Sequence, residues 1–180
     1  MAEETGYQGW SNYETWNANL WIDNEQASQQ FWLDAAKNAT SESDLADRMK
    51  NDFRDAMPEL TGVWSDLLTA SFGEVDWYEI AKSLMDEVKE NQMYKISQMV
   101  KAGATSSDSC KLEDIVAGIE DILPEKMLEE FEEADEDEQS EIFEDICDYL
   151  DEIAPEGLHF GTQEGDGACY GFWKTEEEGE

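Results

Sequence analysis

Residues 112–152 of the chain read LEDIVAGIEDILPEKMLEEFEEADEDEQSEIFEDICDYLDE and combine a regular apolar pattern with dense negative charge. They contain 19 acidic residues and one lysine. Apolar residues recur three or four positions apart, which is the spacing typical of amphipathic helices. The apolar positions are Leu112, Ile115, Val116, Ile119, Ile122, Leu123, Met127, Leu128, Phe131, Ile142, Phe143, Ile146, Cys147 and Leu150, and Ile153 continues the pattern just after the stretch. The sequence therefore predicts three amphipathic helices in this stretch.

The last of these predicted helices carries an acidic face opposite its apolar stripe. The face consists of Glu141, Glu144, Asp145, Asp148, Asp151 and Glu152, and no cation lies among them. Like charges at these helical spacings each cost roughly 0.2–0.5 kcal/mol, so the six such pairs oppose the helix by about 1–3 kcal/mol. Burial of the apolar face must outweigh this repulsion.

The charge density of the stretch suggests a function. With a helical rise of about 1.5 Å per residue, residues 112–152 carry one net negative charge per roughly 3.4 Å, close to the charge spacing along one strand of DNA. We therefore expect carboxylates here to stand where a DNA-binding protein expects phosphates. The candidate phosphate-mimicking residues are Glu113, Asp114, Glu120, Asp121, Glu129, Glu130, Glu132, Glu133, Glu141, Glu144, Asp145, Asp148 and Glu152. The alternative is an acidic face that only keeps the protein solvated.

The whole chain is strongly acidic, with 46 acidic residues against 11 Lys and Arg and a formal net charge of −35. Such a charge exceeds what solubility requires and destabilises a compact state through self-repulsion. Because no basic patch exists that would neutralise phosphate, we expect no direct binding of nucleic acid. With 180 residues and 40% hydrophobic content, the chain is long enough for one ordinary domain or two small ones.

No pattern typical of an active site or a metal centre is present in the sequence. His159 is the only histidine, lies on a predicted strand, and has no nucleophile motif beside it. A zinc site built from Cys147, His159 and Cys169 would lack the usual short ligand pairs. We therefore predict a protein that is not an enzyme and that uses no metal ion or cofactor.

The cysteines and the hydropathy pattern bear on the compartment. Cys110, Cys147 and Cys169 are widely spaced and odd in number, which fits a reducing cytosol. The sequence shows no apolar signal segment, and no apolar run approaches the roughly 18 residues that a membrane span needs. These observations predict a protein of the host cytoplasm that does not enter a membrane.

Helical patterns also fill the first half of the chain. Ser11 and Glu14 have the spacing of a capping box, and the helix that they start is predicted to end near Asp23. A second helix is predicted from Glu25 to about Asn38. Its predicted inward residues are Ala27, Phe31, Trp32 and Ala35. We interpret the many aromatic residues here as core residues rather than as a ligand cage.

Three further helices are predicted before the middle of the chain. A third helix has Ser41 or Ser43 as its cap, and a short fourth helix covers residues 62–68. A long fifth helix runs from Asp76 to about Lys101. The residues of these helices that are predicted to face the core are Leu45, Met49, Phe53, Met57, Trp77, Ile80, Leu84 and Val88.

Two segments of the first half resemble a known family. GWSNYETWNANLWIDNEQASQQFW (9–32) and GVWSDLLTASFGEVDWYEIAKSL (62–84) are similar to an uncharacterised family of small proteins found in phages, plasmids and their hosts, with the signature GWxNYETW…LWIDN. The resemblance covers about residues 8–90, and implies a helical fold and a mobile-element setting but no catalytic residue. APEGLHFGTQEGDGACYGFW (154–173) also resembles the closing segment of small phage and bacterial proteins of unassigned role.

The predicted fold is mainly α with a C-terminal β-hairpin, and is thus α+β overall. After Pro155, apolar residues alternate with small or polar ones around a Gly-rich segment, which is typical of a hairpin. A Gly/Ser-rich segment predicts a linker between two modules. The predicted organisation is an aromatic-rich helical module at 8–102, the linker at 103–109, an acidic helical module at 110–153, the hairpin at 155–173 and an acidic tail at 174–180.

Two functions of different classes fit these features. The first is an acidic DNA mimic, encoded by a phage or another mobile element, that inhibits a host defence enzyme such as a restriction or CRISPR nuclease by occupying its DNA-binding cleft. Its partner is then a basic host protein, and the sequence leaves homo-oligomers open. The alternative is a non-enzymatic adaptor or structural protein whose Trp-rich helical module binds another protein. Carboxylates in rows on a firm surface favour the first function, and scattered carboxylates favour the second.

Overall fold

The fold is mainly α-helical and ends in a two-stranded antiparallel hairpin, which confirms the predicted fold class. A computed structural model describes residues 6–102, 111–163 and 166–175. The chain forms two compact units, Met1–Val88 and Lys89–Glu180, which we call the first and the second unit. The predicted linker at 103–109, the tip of the predicted hairpin turn and the end of the predicted tail lie outside the described residues.

The elements follow one another in chain order as α1 (Tyr13–Asn24), α2 (Gln26–Lys37), α3 (Glu42–Asp55), α4 (Val63–Glu74), α5 (Trp77–Ala102), α6 (Leu112–Ala117), a 3-10 helix (Glu120–Ile122), α7 (Glu125–Glu133), α8 (Glu136–Ile153), β1 (Leu158–Gln163) and β2 (Asp166–Lys174). Helix α5 spans the division between the units, since its residues from Lys89 onward group with the second unit. The predicted first module extended to residue 102, so the compact units divide the chain earlier than the predicted modules do.

The core of the first unit packs large aromatic rings among small alanines. Trp32 and Trp77 are buried, and the Phe53 ring contacts both, with centroid distances of 5.8 Å and 5.0 Å. The buried residues of this core are Ile22, Trp32, Ala35, Ala36, Leu45, Ala46, Met49, Trp77, Ile80, Ala81 and Leu84. Because each indole removes a large apolar area from water, the two tryptophans supply much of the hydrophobic free energy of the unit.

Two residues that were predicted to face inward on α2 lie at the surface. Ala27 and Phe31 are exposed, whereas Trp32 and Ala35 are buried as predicted. The inward face of α2 is centred on Trp32 and Ala35, and Phe31 lies about 100° around the helix from Trp32. The Phe31 ring instead packs edge-on to Trp32 at 5.0 Å and lies 5.4 Å from the Arg48 guanidinium.

The polar residues of the signature stretch hold α1 against the junction between α4 and α5. Asn12 caps α1, because its side-chain oxygen accepts a hydrogen bond from the Thr15 N–H at 2.8 Å. Its amide nitrogen donates to the Glu74 carbonyl oxygen at 2.8 Å. The hydroxyl oxygen of Thr15, which is fully buried, accepts from the Asp76 N–H at 2.9 Å. These polar side chains therefore stabilise the fold.

The predicted capping box at Ser11 and Glu14 is wrong. Helix α1 begins one residue later than that pattern requires, with Asn12 at the cap position. The Ser11 N–H donates to the carboxylate of Glu79, at 3.1 and 3.2 Å from its two oxygens. A bond to α5 thus takes the place of the local bond that the spacing predicted.

The first predicted helix of the acidic stretch divides into two short pieces. Helix α6 ends at Ala117, and the N–H of Gly118 caps it by donating to carbonyl oxygens of its last turn. A 3-10 turn at Glu120–Ile122 follows. Ile115, Ile119 and Leu123 are nevertheless buried in one core, as the predicted continuous helix also required.

The core of the second unit consists of branched aliphatic residues and phenylalanines. Its buried residues are Ile96, Ile115, Val116, Ile119, Ile122, Leu123, Phe131, Phe143, Ile146, Leu150, Phe160 and Phe172. The hairpin pairs Phe160 with Phe172, whose rings lie 5.1 Å apart. The Phe160 N–H donates to the carboxylate of Asp151 at 2.6 Å, so the end of α8 is bonded to β1.

A buried glutamine connects three segments of the second unit. The side-chain nitrogen of Gln92, on α5, donates to the Ile122 carbonyl oxygen at 2.9 Å and to the Tyr149 hydroxyl oxygen at 2.7 Å. Lys95, one turn further along α5, donates to the Asp121 carbonyl oxygen at 3.0 Å. Since a buried amide without partners is costly, these bonds fix the position of α5 against the 3-10 turn and α8.

Candidate partner-binding surface

All thirteen predicted phosphate-mimicking residues have exposed side chains. The structure places Glu113 and Asp114 on α6, and Glu120 and Asp121 on the 3-10 turn. The others lie on the two longer helices of the acidic stretch, namely Glu129, Glu130, Glu132 and Glu133 on α7 and Glu141, Glu144, Asp145, Asp148 and Glu152 on α8.

The carboxylates form a patch and not a single line. The density of one charge per roughly 3.4 Å assumed one continuous run of helix, whereas the chain turns back between α7 and α8 at Ala134 and Asp135. Helices α7 and α8 pack against each other, with the Gln139 amide donating to the Phe131 carbonyl oxygen at 3.1 Å. The charge of the two helices is therefore carried by a helical hairpin and not by one straight helix.

An open groove of about 440 Å³ lies between these two helices. Carboxylates line it from both sides, and its residues are Glu130, Glu133, Ala134, Glu138, Glu141, Ile142 and Asp145. Among the residues that the structure describes, those lining this groove include no Lys or Arg. Lys126 lies in the first turn of α7, and its ammonium is 3.6 Å from the carboxylate of Glu130. Both side chains are exposed. Such a pair is screened by solvent and contributes little stability.

At the start of α8, cap hydrogen bonds and the helix dipole offset the repulsion among neighbouring acids. The Asp135 carboxylate accepts from the N–H groups of Asp137 and Glu138 at 3.1 and 3.0 Å. The Glu138 side chain accepts from the Asp135 N–H at 3.2 Å, which completes a capping box. Acids in the first turn of a helix interact favourably with its dipole, typically by 0.3–1 kcal/mol each. The acids at this end of α8 therefore stabilise the helix.

A second open groove, of about 470 Å³, lies on another side of α8. Its residues are Leu112, Ser140, Phe143, Glu144, Cys147, Asp148 and Tyr170. The pKa of the Cys147 thiol is raised from 9.0 to about 11, first by burial and then by the negative charges of Asp151, Asp148 and Glu144. Burial is thus the largest cause of the raised pKa, and the three nearby carboxylates add to it.

The structure brings together only part of the predicted set. Glu130, Glu133, Glu141 and Asp145 share the groove between α7 and α8, and Glu144 and Asp148 line the second groove. The predicted residues that line neither groove are Glu113, Asp114, Glu120, Asp121, Glu129, Glu132 and Glu152.

One residue of the groove between α7 and α8 was missed. Glu138 precedes Glu141 by three positions and Asp145 by seven, which places all three on one face of a helix. The last predicted helix was recognised by its apolar residues from Ile142 onward, whereas α8 already begins at Glu136. An aspartate followed three residues later by a glutamate was the signal that predicts the cap.

Searches for other kinds of site in the described ranges give no candidate. Within residues 6–102, 111–163 and 166–175, no group of three or more His, Cys, Asp or Glu side chains is arranged to hold a metal ion. No helix in the described part of the chain is both long and apolar enough to cross a bilayer. His159 is half-buried on β1, where it pairs with Trp173 across the hairpin.

Comparison with known proteins gives one match. The model of a family described as "Family of unknown function (DUF7249)" matches residues 3–99. No curated protein and no solved structure matches the chain. The matched range covers the first unit and most of α5, and it ends before the acidic helices α6 to α8.

Proposed function

We propose that this chain, which belongs to the family of unknown function DUF7249, is a phage- or plasmid-encoded inhibitor that mimics DNA. The proposed target is a host defence enzyme with a basic DNA-binding cleft, such as a restriction or CRISPR nuclease, in the host cytoplasm. The chain occupies the cleft and excludes DNA. Because the family match ends at residue 99, this function is assigned to the acidic helices of this chain and not to the family.

The observation that carries the proposal is the double row of carboxylates on α7 and α8. Glu130 and Glu133 face one side of the groove, and Glu138, Glu141 and Asp145 face the other. Along α8, the six acids from Glu141 to Glu152 span roughly 16–17 Å of helix axis, which is about one charge per 3 Å. One strand of DNA carries a charge about every 3.4 Å. A cleft built for phosphates thus meets a similar density of carboxylates.

A firm backbone under these charges supports mimicry over a purely solvating role. Phe143, Ile146 and Leu150 are buried beneath the acidic face of α8. The helix is fixed at its start by the capping box and at its end by the bond from Phe160 to Asp151. Since the carboxylates are held by the fold, little further ordering of the backbone is needed on binding. Long-range attraction to a basic cleft also speeds association.

The experiment is a competition assay with labelled duplex DNA and a panel of purified restriction and CRISPR nucleases. For a nuclease that the protein inhibits, one variant replaces Glu141, Glu144, Asp145, Asp148 and Glu152 with Gln or Asn. A second variant replaces Glu129, Glu130, Glu132 and Glu133 with Gln. We expect each variant to compete at least about tenfold less well than the unmodified protein, because charged contacts in a cleft are lost.

A matched control separates the acidic helices from overall charge. It replaces five exposed acids of the first unit, Glu25, Asp47, Asp55, Glu59 and Asp66, and so removes the same charge as the α8 variant. We expect this control to inhibit nearly as well as the unmodified protein. Equal inhibition by the control and by both variants of the acidic helices would exclude mimicry by α7 and α8.

Salt dependence is a second test of the same proposal. Exposed charges farther apart than the Debye length of about 8–10 Å at physiological ionic strength are largely screened. The dissociation constant for the target is therefore expected to rise by at least about tenfold between about 0.05 and 0.2 M salt. An affinity that stays constant across this series would show that the carboxylates do not determine binding.

A further inference from the structure

Helix α4 carries apolar side chains that are exposed and not packed in a core. None of its residues is buried, although it contains Val63, Trp64 and Leu67. Trp64 is 68% exposed, Val63 63% and Leu67 55%, and Leu60 in the preceding segment is 44% exposed. Single exposed apolar residues are common on protein surfaces. Val63, Trp64 and Leu67 cluster in the first turns of α4, and with Leu60 just before the helix they make up what we call the α4 face.

The three apolar residues on the helix have the spacing of an interaction surface. Val63 and Leu67 are four positions apart and Trp64 and Leu67 three, which places them on one side of α4, and such spacings anchor amphipathic helices to protein partners. The opposite side of α4 is used by the fold, since Phe72 packs on the buried Trp77 ring at 5.3 Å. Tryptophan and leucine side chains at the centre of such a surface lose much water contact when they are covered.

The charges around the α4 face define the partner. Glu59 and Asp66 are exposed beside it, and Glu74 is exposed at the end of the helix. The chain contains no Lys or Arg from Asp55 to Ala81. An apolar centre with an acidic surround is complementary to an apolar stripe flanked by Lys or Arg. We propose that the α4 face binds an amphipathic helix of a partner protein that presents an apolar stripe between basic side chains.

The same charges disfavour two other occupants. In a two-fold contact between copies of this chain, each face would meet itself, and Glu59 and Asp66 would approach their own copies. An anionic lipid surface attracts basic and not acidic segments. A basic amphipathic helix gains both apolar burial and attraction between opposite charges. The α4 face belongs to the first unit and to the matched range 3–99, whereas DNA mimicry is assigned to the acidic helices of the second unit.

The probe is a synthetic peptide of about four helical turns with leucine at helical spacing and lysine elsewhere. Two control peptides carry glutamate in place of lysine, or serine in place of leucine. Binding of fluorescently labelled peptide is measured by anisotropy at about 0.3 M salt, where a Debye length of roughly 5–6 Å weakens general attraction to the acidic chain. We expect binding of the leucine–lysine peptide and not of either control peptide.

The protein variant is Trp64→Ala with Leu67→Ala, which leaves every core position unchanged and introduces a good helix former. We expect its dissociation constant for the leucine–lysine peptide to rise by about 10- to 100-fold. The control is Tyr94→Ala, whose ring is 65% exposed on α5, and we expect it to bind like the unmodified protein. The variant of α8 with five neutralised acids is also expected to bind the peptide, so this test is independent of DNA mimicry.

Three results would overturn the proposal. Equal binding of the leucine–lysine and serine–lysine peptides would show that charge alone is responsible. Unchanged affinity in the Trp64→Ala, Leu67→Ala variant would place the peptide elsewhere on the chain. A dimer in sedimentation that becomes a monomer in this variant would identify a second copy of the chain as the occupant of the α4 face.

Discussion

The two units use their polar residues in opposite ways. In the first unit, the polar side chains of the signature stretch point into the fold, where Asn12 and Thr15 bond to the backbone at Glu74 and Asp76. In the second unit, the carboxylates of α7 and α8 point outward, and apolar burial holds the fold together. The comparison shows that Asn12 and Thr15 of the distinctive stretch serve the fold, whereas the acids of α7 and α8 lie at the surface.

A large-to-small substitution in each core tests this comparison, and it has the largest expected effect on the free energy of unfolding. Trp32→Ala in the first unit should cost about 3–5 kcal/mol of unfolding free energy, and Ile146→Ala in the second about 2–5 kcal/mol. Six of the seven tryptophans lie in the first unit. Tryptophan fluorescence should therefore follow the unfolding of the first unit in Trp32→Ala. Circular dichroism should follow the loss of helix in both variants.

The two probes decide whether the units unfold separately. For Ile146→Ala, we expect the helical signal to be lost at a lower urea concentration than the fluorescence signal. Coincident transitions in both variants would instead mean that the two units unfold as one cooperative structure.

The substitution Thr15→Val tests the structural role of the signature stretch. The substitution keeps the shape of a fully buried side chain but removes the acceptor for the Asp76 N–H. An unsatisfied buried donor costs about 1–3 kcal/mol. Urea unfolding should show this loss. Thr69→Val, at an exposed position of α4, is the control and should change stability by less than about 0.5 kcal/mol. Equal effects of the two substitutions would contradict the assignment.

Alkaline pH should destabilise the second unit through Cys147. Its pKa is raised from 9.0 to about 11 in the folded protein, so the folded state binds the thiol proton more tightly than the unfolded state does. The resulting stability is fully present below about pH 9 and is lost as the pH rises toward about 11. A shift of about two units corresponds to at most about 2.7 kcal/mol. Since the thiol is only partly buried, we expect a loss of about 1–2 kcal/mol.

The measurement compares the unmodified protein with Cys147→Ala at about pH 8 and about pH 10.5. Lysine and tyrosine titration occurs in both proteins and cancels in the difference. The unmodified protein should lose more stability over this range. Parallel pH profiles would show that burial and the nearby carboxylates do not raise the pKa of this thiol as described.

Tyr149→Phe has the smallest expected effect. It removes the hydroxyl that accepts from Gln92 but leaves the Ile122 carbonyl oxygen as an acceptor for the same amide. The expected loss is about 0.5–1.5 kcal/mol in urea unfolding. Gln92→Leu should cost more, because it leaves the Ile122 carbonyl without this partner. A larger loss of unfolding free energy for Tyr149→Phe than for Gln92→Leu would contradict the roles assigned to these two residues.

Strong local signals allowed much of the fold to be predicted. The cap at Ser41 was one of the two predicted positions, and its hydroxyl accepts from the Asp44 N–H at 3.2 Å. The long helix α5 runs over Trp77–Ala102, close to the predicted bounds. The hairpin forms where apolar residues alternate, at Leu158–Gln163 and Asp166–Lys174. In each case the deciding residues are neighbours in the sequence.

The features that were missed depend on residues far apart in the chain. Thr15 and Asp76 are 61 positions apart, and Gln92 and Tyr149 are 57 apart, so no local pattern indicates either bond. The exposure of all thirteen candidate acids follows from their place opposite the apolar stripes. Which of them line the two grooves could not be predicted, because it depends on how α8 lies against α7 on one side and against Leu112 and Tyr170 on another.

Helix α4 has a consequence for how this protein can change over generations. Because none of its residues is buried, substitutions at Val63, Trp64 or Leu67 carry little risk of unfolding the chain. Most recognition surfaces share residues with a core and are constrained by it. Under the role proposed for the α4 face, these exposed residues can follow a changing partner through single substitutions that keep the chain folded, while Phe72 on the opposite side of α4 is held by its contact with Trp77.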